Sequence, residues 1–233
     1  MRVLGIITAR AESKRLIRKN FRKINGKSIT AIAVEQMCLA RKRGCITDVY
    51  LTTDSVKLMN ESRKYDILDV PLRSKELSGD TVKSVDVVIS VLDERKSKGI
   101  EYDAVVLLQP TAPLTIATDI EEIVRLLMTN KFESVVSACE LTNVYKQGIY
   151  EKVNDEFIPI SEEHNVGKRS QDCNPLFVRN GALYAAWTES ILKNKCIISA
   201  QPGIYVMPTQ RSCDINSFED LLLARKLYKK NSQ

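Results

Sequence analysis

The chain has 233 residues, 44% of them hydrophobic and 27% charged, with a formal net charge of +6. That length suits one large α/β domain with a buried core, and a modest positive charge gathered in one loop beside a single aromatic excludes the broad basic face of a nucleic-acid binder. Cysteines at 38, 45, 139, 173, 196 and 213 form neither finger-type pairs nor a disulfide framework, and there is no signal-peptide pattern or membrane-length apolar run, so free thiols in a cytoplasmic protein are expected.

The first element is a strand, Val3 to Thr8, whose apolar run opens on a loop carrying Arg10, Lys14, Arg15, Arg18 and Lys19 against one acid, Glu12. In an open parallel sheet, ligands bind beyond the carboxyl ends of the strands, so these cations are placed for a polyanion such as a nucleoside triphosphate. A solvated basic loop reads the same charges equally well. Ser28 to Arg43 then shows Ile29, Ile32, Ala33, Met37 and Ala40 at helical spacing and a basic end before Gly44, which predicts a helix. A strand over 46–52 and a helix over 56–65, capped by Asp54 or Ser55, come next. The proline-interrupted stretch 67–72 leads to Arg73 and the loop SKELSGD, and a helix is expected from about Thr81 to Ser97.

Asp103 to Leu108 is an unbroken apolar run, as in a central strand covered on both faces. Thr118 with Glu121 reads as the capping box of a helix reaching Met128, and Ser134 to Cys139 as the next strand. The alternation predicts a doubly wound, mostly parallel sheet. From about Leu141 the period changes. Gly148 to Pro159, with Asn154-Asp155 inside it, reads as a hairpin, and the polar stretch up to Pro175 has no periodicity. An insertion of that length in a compact domain points to a functional loop or an oligomer arm. Strands are expected at 183–187 and 204–207 with a short helix from about Thr188 between them, and an amphipathic helix over 217–230 boxed by Ser217 and Asp220.

Four segments, ITARAESKRLIRKN, LRSKELSGDTVKS, LLQPTAPL and RSQDCNPLFVRNGALYA followed by DINSFEDLLLA, together resemble the acylneuraminate cytidylyltransferases. These enzymes activate sialic acid and related nine-carbon nonulosonic acids as CMP-sugars. The segments lie in the family's order and span nearly the whole chain. The resemblance implies a Rossmann-like nucleotidyltransferase domain over 1–233, with 141–175 as a dimerisation or substrate arm. It implies transfer of CMP from CTP to a nonulosonic acid of sialic or legionaminic type, with release of pyrophosphate, by a Mg²⁺-dependent homodimer supplying sugars for surface glycans. Such a transfer needs charge neutralisation and alignment more than a covalent nucleophile. The one histidine, His164, accordingly reads as a surface residue.

Carried over position by position, the resemblance puts Arg10 and Lys14 on the phosphates as catalytic cations, with Ser13 and Asn20 beside them on the nucleotide. It puts Arg73, Val82 (through its backbone) and Ser84 around the cytosine, and Asp214 and Asn216 on the metal. Gln109, Asn180 and Tyr184 would contact the sugar, and Lys146 and Arg169 its carboxylate, often from a second subunit. By residue type alone, Gln109 stands where a ligand contact is expected. Arg73 could equally be a strand-end ion pair, Ser84 a helix surface, Tyr184 core, and Lys146 and Arg169 solvated charges. Four positions depart from the family pattern. Ala11 and Glu12 replace glycines, Thr115 an arginine and Asn216 an aspartate. Glycine lets backbone approach phosphate closely, so side chains must carry more of the binding here, and one lost carboxylate should weaken the hold on an ion. Two other readings stay open: a related nucleotidyltransferase with another NTP or a sugar phosphate, and a nucleotide-binding homologue impaired in catalysis.

Overall fold

In the computed structural model, residues 1–167, 169 and 172–231 are described. Strand β1 (Val3–Thr8) is almost wholly buried and lies between β4 (Asp48–Thr52) and β5 (Ala104–Leu108), parallel to both. All five residues of β5 are buried, as an apolar run covered on both faces requires. With β6 (Ser134–Glu140), β9 (Phe177–Trp187) and β10 (Gly203–Val206), the six-stranded sheet has the order β10-β6-β9-β5-β1-β4. Strand β6 pairs in parallel with β10, whereas β9 runs antiparallel between β6 and β5. The doubly wound, mostly parallel expectation holds with this one reversal. Its cause is local: the chain leaves β6 at the carboxyl end of the parallel strands, makes the 141–176 excursion there, and re-enters at the same end, so it must return antiparallel.

Strand β9 also begins at Phe177, six residues before the predicted start, because Phe177 and Val178 pair with Glu140 and Cys139 while their side chains stay exposed. The pairing is irregular between Val136 and Ala138, opposite Gly181 at φ +70°. That left-handed backbone suits glycine, and it turns this part of β9 toward Asp214: a Cβ at Gly181 would lie 3.9 Å from Asp214 Oδ2.

Helix α1 (Ile29–Lys42) starts at Ser28, whose hydroxyl accepts the Ala31 N–H, and α2 (Val56–Ser62) at Ser55 in the same way. Helix α3 (Ser84–Ser97) begins three residues later than predicted, with the Asp86 carboxylate accepting from Lys83 N. Helix α4 (Ala117–Leu127) corrects the predicted cap. Asp119 accepts from Ile116 N at 2.9 Å, while Thr118 and Glu121 each take Arg43 Nη1 at 3.1 Å. Helix α5 (Thr188–Asn194) follows β9, and α6 (Phe218–Asn231) carries the expected box, Ser217 N to Asp220 Oδ2 at 2.8 Å and Asp220 N to Ser217 Oγ at 3.2 Å.

Two hairpins stand outside the main sheet. β2 (Lys23–Ile24) and β3 (Lys27–Ser28) are joined by Asn25-Gly26, both at positive φ, a turn the sequence reading passed over. β7 (Tyr150–Val153) and β8 (Glu156–Pro159) form the expected hairpin, with Asn154 and Asp155 at φ 48° and 66°. Residues 168, 170 and 171 of the excursion lie outside the described set. All six cysteines are free, and among the described residues no helix is long and apolar enough to cross a membrane.

The main core lies on the two faces of the sheet. A second, small cluster of Leu16, Ile24, Ile29, Ile32, Ile215, Leu221 and Ala224 joins the loop after β1 to the segment before α6. Burying a side chain such as Leu16 or Ile215 contributes about 1.5–3 kcal/mol, which is enough to hold these distant stretches together.

Candidate active site

Beyond Thr8 the chain leaves β1 at its carboxyl end and bends around a cavity of about 560 Å³. Backbone contacts fix the bend: Ala9 N donates to Thr52 O at 3.0 Å and Ala11 N to Asp54 Oδ1 at 2.6 Å. Ser13 Oγ donates to Leu16 O at 2.6 Å and accepts from Lys19 N at 2.9 Å, while buried Asn20 donates from Nδ2 to Arg10 O at 2.8 Å. Ser13 and Asn20 therefore shape the loop as well as lining the cavity. These polar contacts, with Leu16 as an apolar anchor, hold the loop in this shape without glycine.

All seven residues assigned to the nucleotide (Arg10, Ser13, Lys14, Asn20, Arg73, Val82 and Ser84) line this one cavity, and so does Gln109. Arg73 comes from the segment between α2 and α3, its backbone N–H bonded back to Thr53 O beyond β4 at 2.8 Å and its Nε donating to Ser78 Oγ at 3.1 Å, so it is not a strand-end ion pair. Burial pulls its guanidinium below the usual range and nearby Asp54 opposes that. Ser84 opens α3, and Gln109 follows β5, with Thr8 Oγ1 donating to its Oε1 at 3.3 Å.

Two further residues line the cavity: Lys19, one of the five loop cations placed for a polyanion, and Asp80, which the sequence did not mark. Lys19 Nζ donates to Ile215 O at 2.8 Å and Asn216 Oδ1 at 3.3 Å. Burial lowers its pKa, Asp214 raises it, and Arg15 and Arg10 lower it further. Asp80 faces Arg10 and Lys14 across the opening.

Asp214 and Asn216 lie just behind Lys19, outside the cavity lining. Ile215 N donates to Thr111 O at 2.8 Å, which ties this segment to the loop after β5. Asn216 Nδ2 donates to Asp214 Oδ2 at 2.7 Å, and its backbone N–H reaches Asp220 Oδ2, so the helix cap is Ser217 and not Asn216. Among the described residues no three His, Cys, Asp or Glu side chains gather as a metal cluster. The donor set, one free carboxylate oxygen on Asp214 and an amide oxygen shared with Lys19, fits a Mg²⁺ that takes most of its ligands from phosphate and water.

The remaining sugar candidates separate. Asn180 is buried and saturated: its Oδ1 accepts from Ser137 Oγ at 2.6 Å and its Nδ2 donates to Ser212 Oγ at 2.9 Å and Met207 Sδ at 3.2 Å. Tyr184 is half-buried on β9, its phenol pKa pushed up by burial with Asp214 near enough to add to that. Lys146 and Arg169 are exposed on the excursion and line no part of this cavity. His164 is exposed and Thr115 buried.

An ion pair on a fully buried acid, not found in the sequence reading, ties α4 to the turn before Asp214. Asp119, with no exposed surface, accepts from Arg211 Nη2 at 2.7 Å, Arg211 Nε at 3.1 Å and Tyr205 Oη at 2.8 Å. It fixes the turn Thr209–Arg211 just before Asp214. An acid among Ile116, Ile120 and Ile123 on an amphipathic helix was the available signal.

A mostly parallel α/β sheet with a cationic cavity at the carboxyl ends of β1 and β5 defines a nucleotide-handling enzyme. The sequence model of the family described as "Cytidylyltransferase" matches residues 4–187; the chain belongs to that family and is a nucleotidyltransferase. It is 29% identical over 233 residues to the pseudaminic acid cytidylyltransferase of Campylobacter jejuni, covering 100% of this chain and 99% of that one. It is 28% identical over 235 residues to the CMP-N,N'-diacetyllegionaminic acid synthase of Legionella pneumophila, with the same coverage. The fold matches a CMP:2-keto-3-deoxy-manno-octonic acid synthetase solved in complex with CTP, at a TM-score of 0.69 and 15% identity, over 99% of this chain and 100% of that one.

Proposed function

We propose that this protein transfers CMP from CTP to a nonulosonic acid and releases pyrophosphate, supplying activated sugar for surface glycans from the cytoplasm. The observation that carries the reading is the single cavity into which Arg10, Lys14, Lys19 and Arg73 all converge. The full-length likeness to enzymes named for pseudaminic and legionaminic acids supports the sugar class.

In this reaction the sugar's anomeric oxygen forms a bond to the α-phosphorus as the bond to the bridging α–β oxygen breaks. Pyrophosphate leaves with that electron pair, and the hydroxyl proton passes to water. Arg10 and Lys14 offset the charge that collects on the departing pyrophosphate, and Lys19 adds a third cation next to the segment bearing Asp214. Arg73, Ser84 and the backbone of Val82 hold the base, while Gln109 and Tyr184 face the sugar. Asp214, with Asn216 beside it, would hold a Mg²⁺ shared with the phosphates; when bound, the ion supplies charge neutralisation at the α-phosphate.

The excursion supports a homodimer. It exposes Tyr145, Tyr150, Phe157, Ile158 and Ile160, and Phe177 and Val178 beside it are exposed too, an apolar surface suited to a second copy. Lys146 and Arg169 would then meet the sugar carboxylate in the other copy's cavity, where a bidentate arginine suits the group. The test is pyrophosphate release with each NTP against a panel of sialic, legionaminic and pseudaminic acids, with and without Mg²⁺. Release with CTP, one of these acids and Mg²⁺ is expected. Release only with another NTP, or CTP binding without turnover on any acid, contradicts the reading.

A further inference from the structure

Asp80 lies between the short turn Glu76–Ser78 and α3, and its two carboxylate oxygens are divided between two cations of the β1 loop. Oδ1 is 2.5 Å from Arg10 Nη1 and Oδ2 is 2.8 Å from Lys14 Nζ. All three residues line the cavity. A carboxylate that accepts from a guanidinium and an ammonium at once presents those donors with the contact that two phosphate oxygens would make.

The fold does not depend on this contact. The side chains of Lys14 and Asp80 are 78% and 42% exposed, and ion pairs this open add little to stability. The segment bearing Asp80 is fastened independently by Arg73 Nε to Ser78 Oγ and by Ser78 Oγ to Ser74 O at 2.8 Å. What the contact does control is whether Arg10 and Lys14 are free. Hydrogen bonds from Lys14 and Arg10 hold the Asp80 carboxyl below the usual carboxylate range, so it is charged at neutral pH.

We propose that Asp80 is an internal competitor for the phosphate-holding cations, yielding Arg10 and Lys14 to an incoming triphosphate and reclaiming them as pyrophosphate departs. This rests on reading the cavity as a triphosphate site. A polyphosphate brings more charge and more oxygens than one carboxylate and displaces it, whereas a single orthophosphate gains little over Asp80. The residue thereby sets a threshold in phosphate number and keeps the product from lingering. Apparent affinity is the intrinsic affinity reduced by the fraction of molecules with free cations, so an Asp80 that holds them about 70–90% of the time weakens binding about three- to tenfold.

The test is calorimetric titration of inorganic pyrophosphate and of CTP into wild type, Asp80→Asn, Asp80→Glu and Arg10→Ala, with product inhibition by pyrophosphate measured in turnover. Asp80 is exposed, so these variants should fold. Asp80→Asn is expected to bind pyrophosphate about three- to tenfold more tightly and to be inhibited by it correspondingly more strongly, with Asp80→Glu staying within about twofold of wild type. Equal or weaker pyrophosphate binding by Asp80→Asn overturns the inference, because a carboxylate that helps hold the ligand, or that only decorates the loop, gives that result. Arg10→Ala separates the two layers: weaker binding keeps the cavity assignment standing whatever Asp80 does. Unchanged binding removes that assignment and the inference with it.

Discussion

The loop after β1 and the 141–176 excursion both carry cations implied by the family resemblance, and one chain treats them differently. Arg10, Lys14 and Lys19 are drawn into a shared cavity by backbone bonds to Thr52 and Asp54, by Asn20, and by the apolar anchor of Leu16 against Ile215. Lys146 and Arg169 remain exposed on an arm whose apolar side chains are also exposed. Residues positioned by strand ends are assembled around one cavity within the chain; the cations on the insertion are not.

The largest expected effect tests how rigidly the first region is built. Arg211→Ala leaves the wholly buried Asp119 without its cation and should cost about 3–5 kcal/mol in urea unfolding. A cost below about 1 kcal/mol would mean that the turn before Asp214 is held by something else. Next, Arg10→Ala should lower kcat/KM for CTP by about a hundredfold or more while the unfolding midpoint stays near wild type. A loss confined to stability would mark Arg10 as structural.

On the excursion, Phe157→Asp places a charge on a residue that is 71% exposed in one chain. If this surface pairs two copies, sedimentation equilibrium should show monomers that still bind CTP but have a KM for the sugar raised about tenfold or more. Unchanged association would separate the arm from dimerisation and erase the contrast between the two regions. Smallest is Asn216→Asp. A second carboxylate beside Asp214 should lower the Mg²⁺ concentration needed for half-maximal rate by several-fold, about what one added oxygen charge brings to a water-rich Mg²⁺ site. Competition from Lys19, which now bonds Asn216 Oδ1, would instead leave it unchanged.

Much of the fold was legible because its strongest signals are local. The apolar runs of β1, β5 and β6, the Ser55 cap of α2 and the box of α6 all appear where local pattern puts them. The direction of β9 was not legible, since it depends on where the excursion rejoins the sheet, and its first residues have exposed apolar side chains that look like loop. The cap of α4 misled for a related reason: Thr118 and Glu121 have the right spacing, but Arg43, distant in sequence, takes both side chains and Asp119 takes the helix start.

At the site, motif positions located the cavity wall but could not rank its charges. Lys19 stood among five similar cations, and only the return of the chain at Ile215 and Asn216 distinguishes it. Asp80 read as one polar residue in a polar loop until folding set it against Arg10 and Lys14. Asn180 matched a ligand-contact position by pattern, yet its amide is fully engaged by Ser137, Ser212 and Met207.

The most direct measurement of the central claim is phosphorus NMR of CTP, Mg²⁺ and a nonulosonic acid incubated with the protein. The account predicts a phosphodiester resonance of a CMP-sugar growing in step with pyrophosphate, lost in Arg10→Ala. Intact CTP signals with every acid tried, under conditions where calorimetry shows CTP bound, would contradict it.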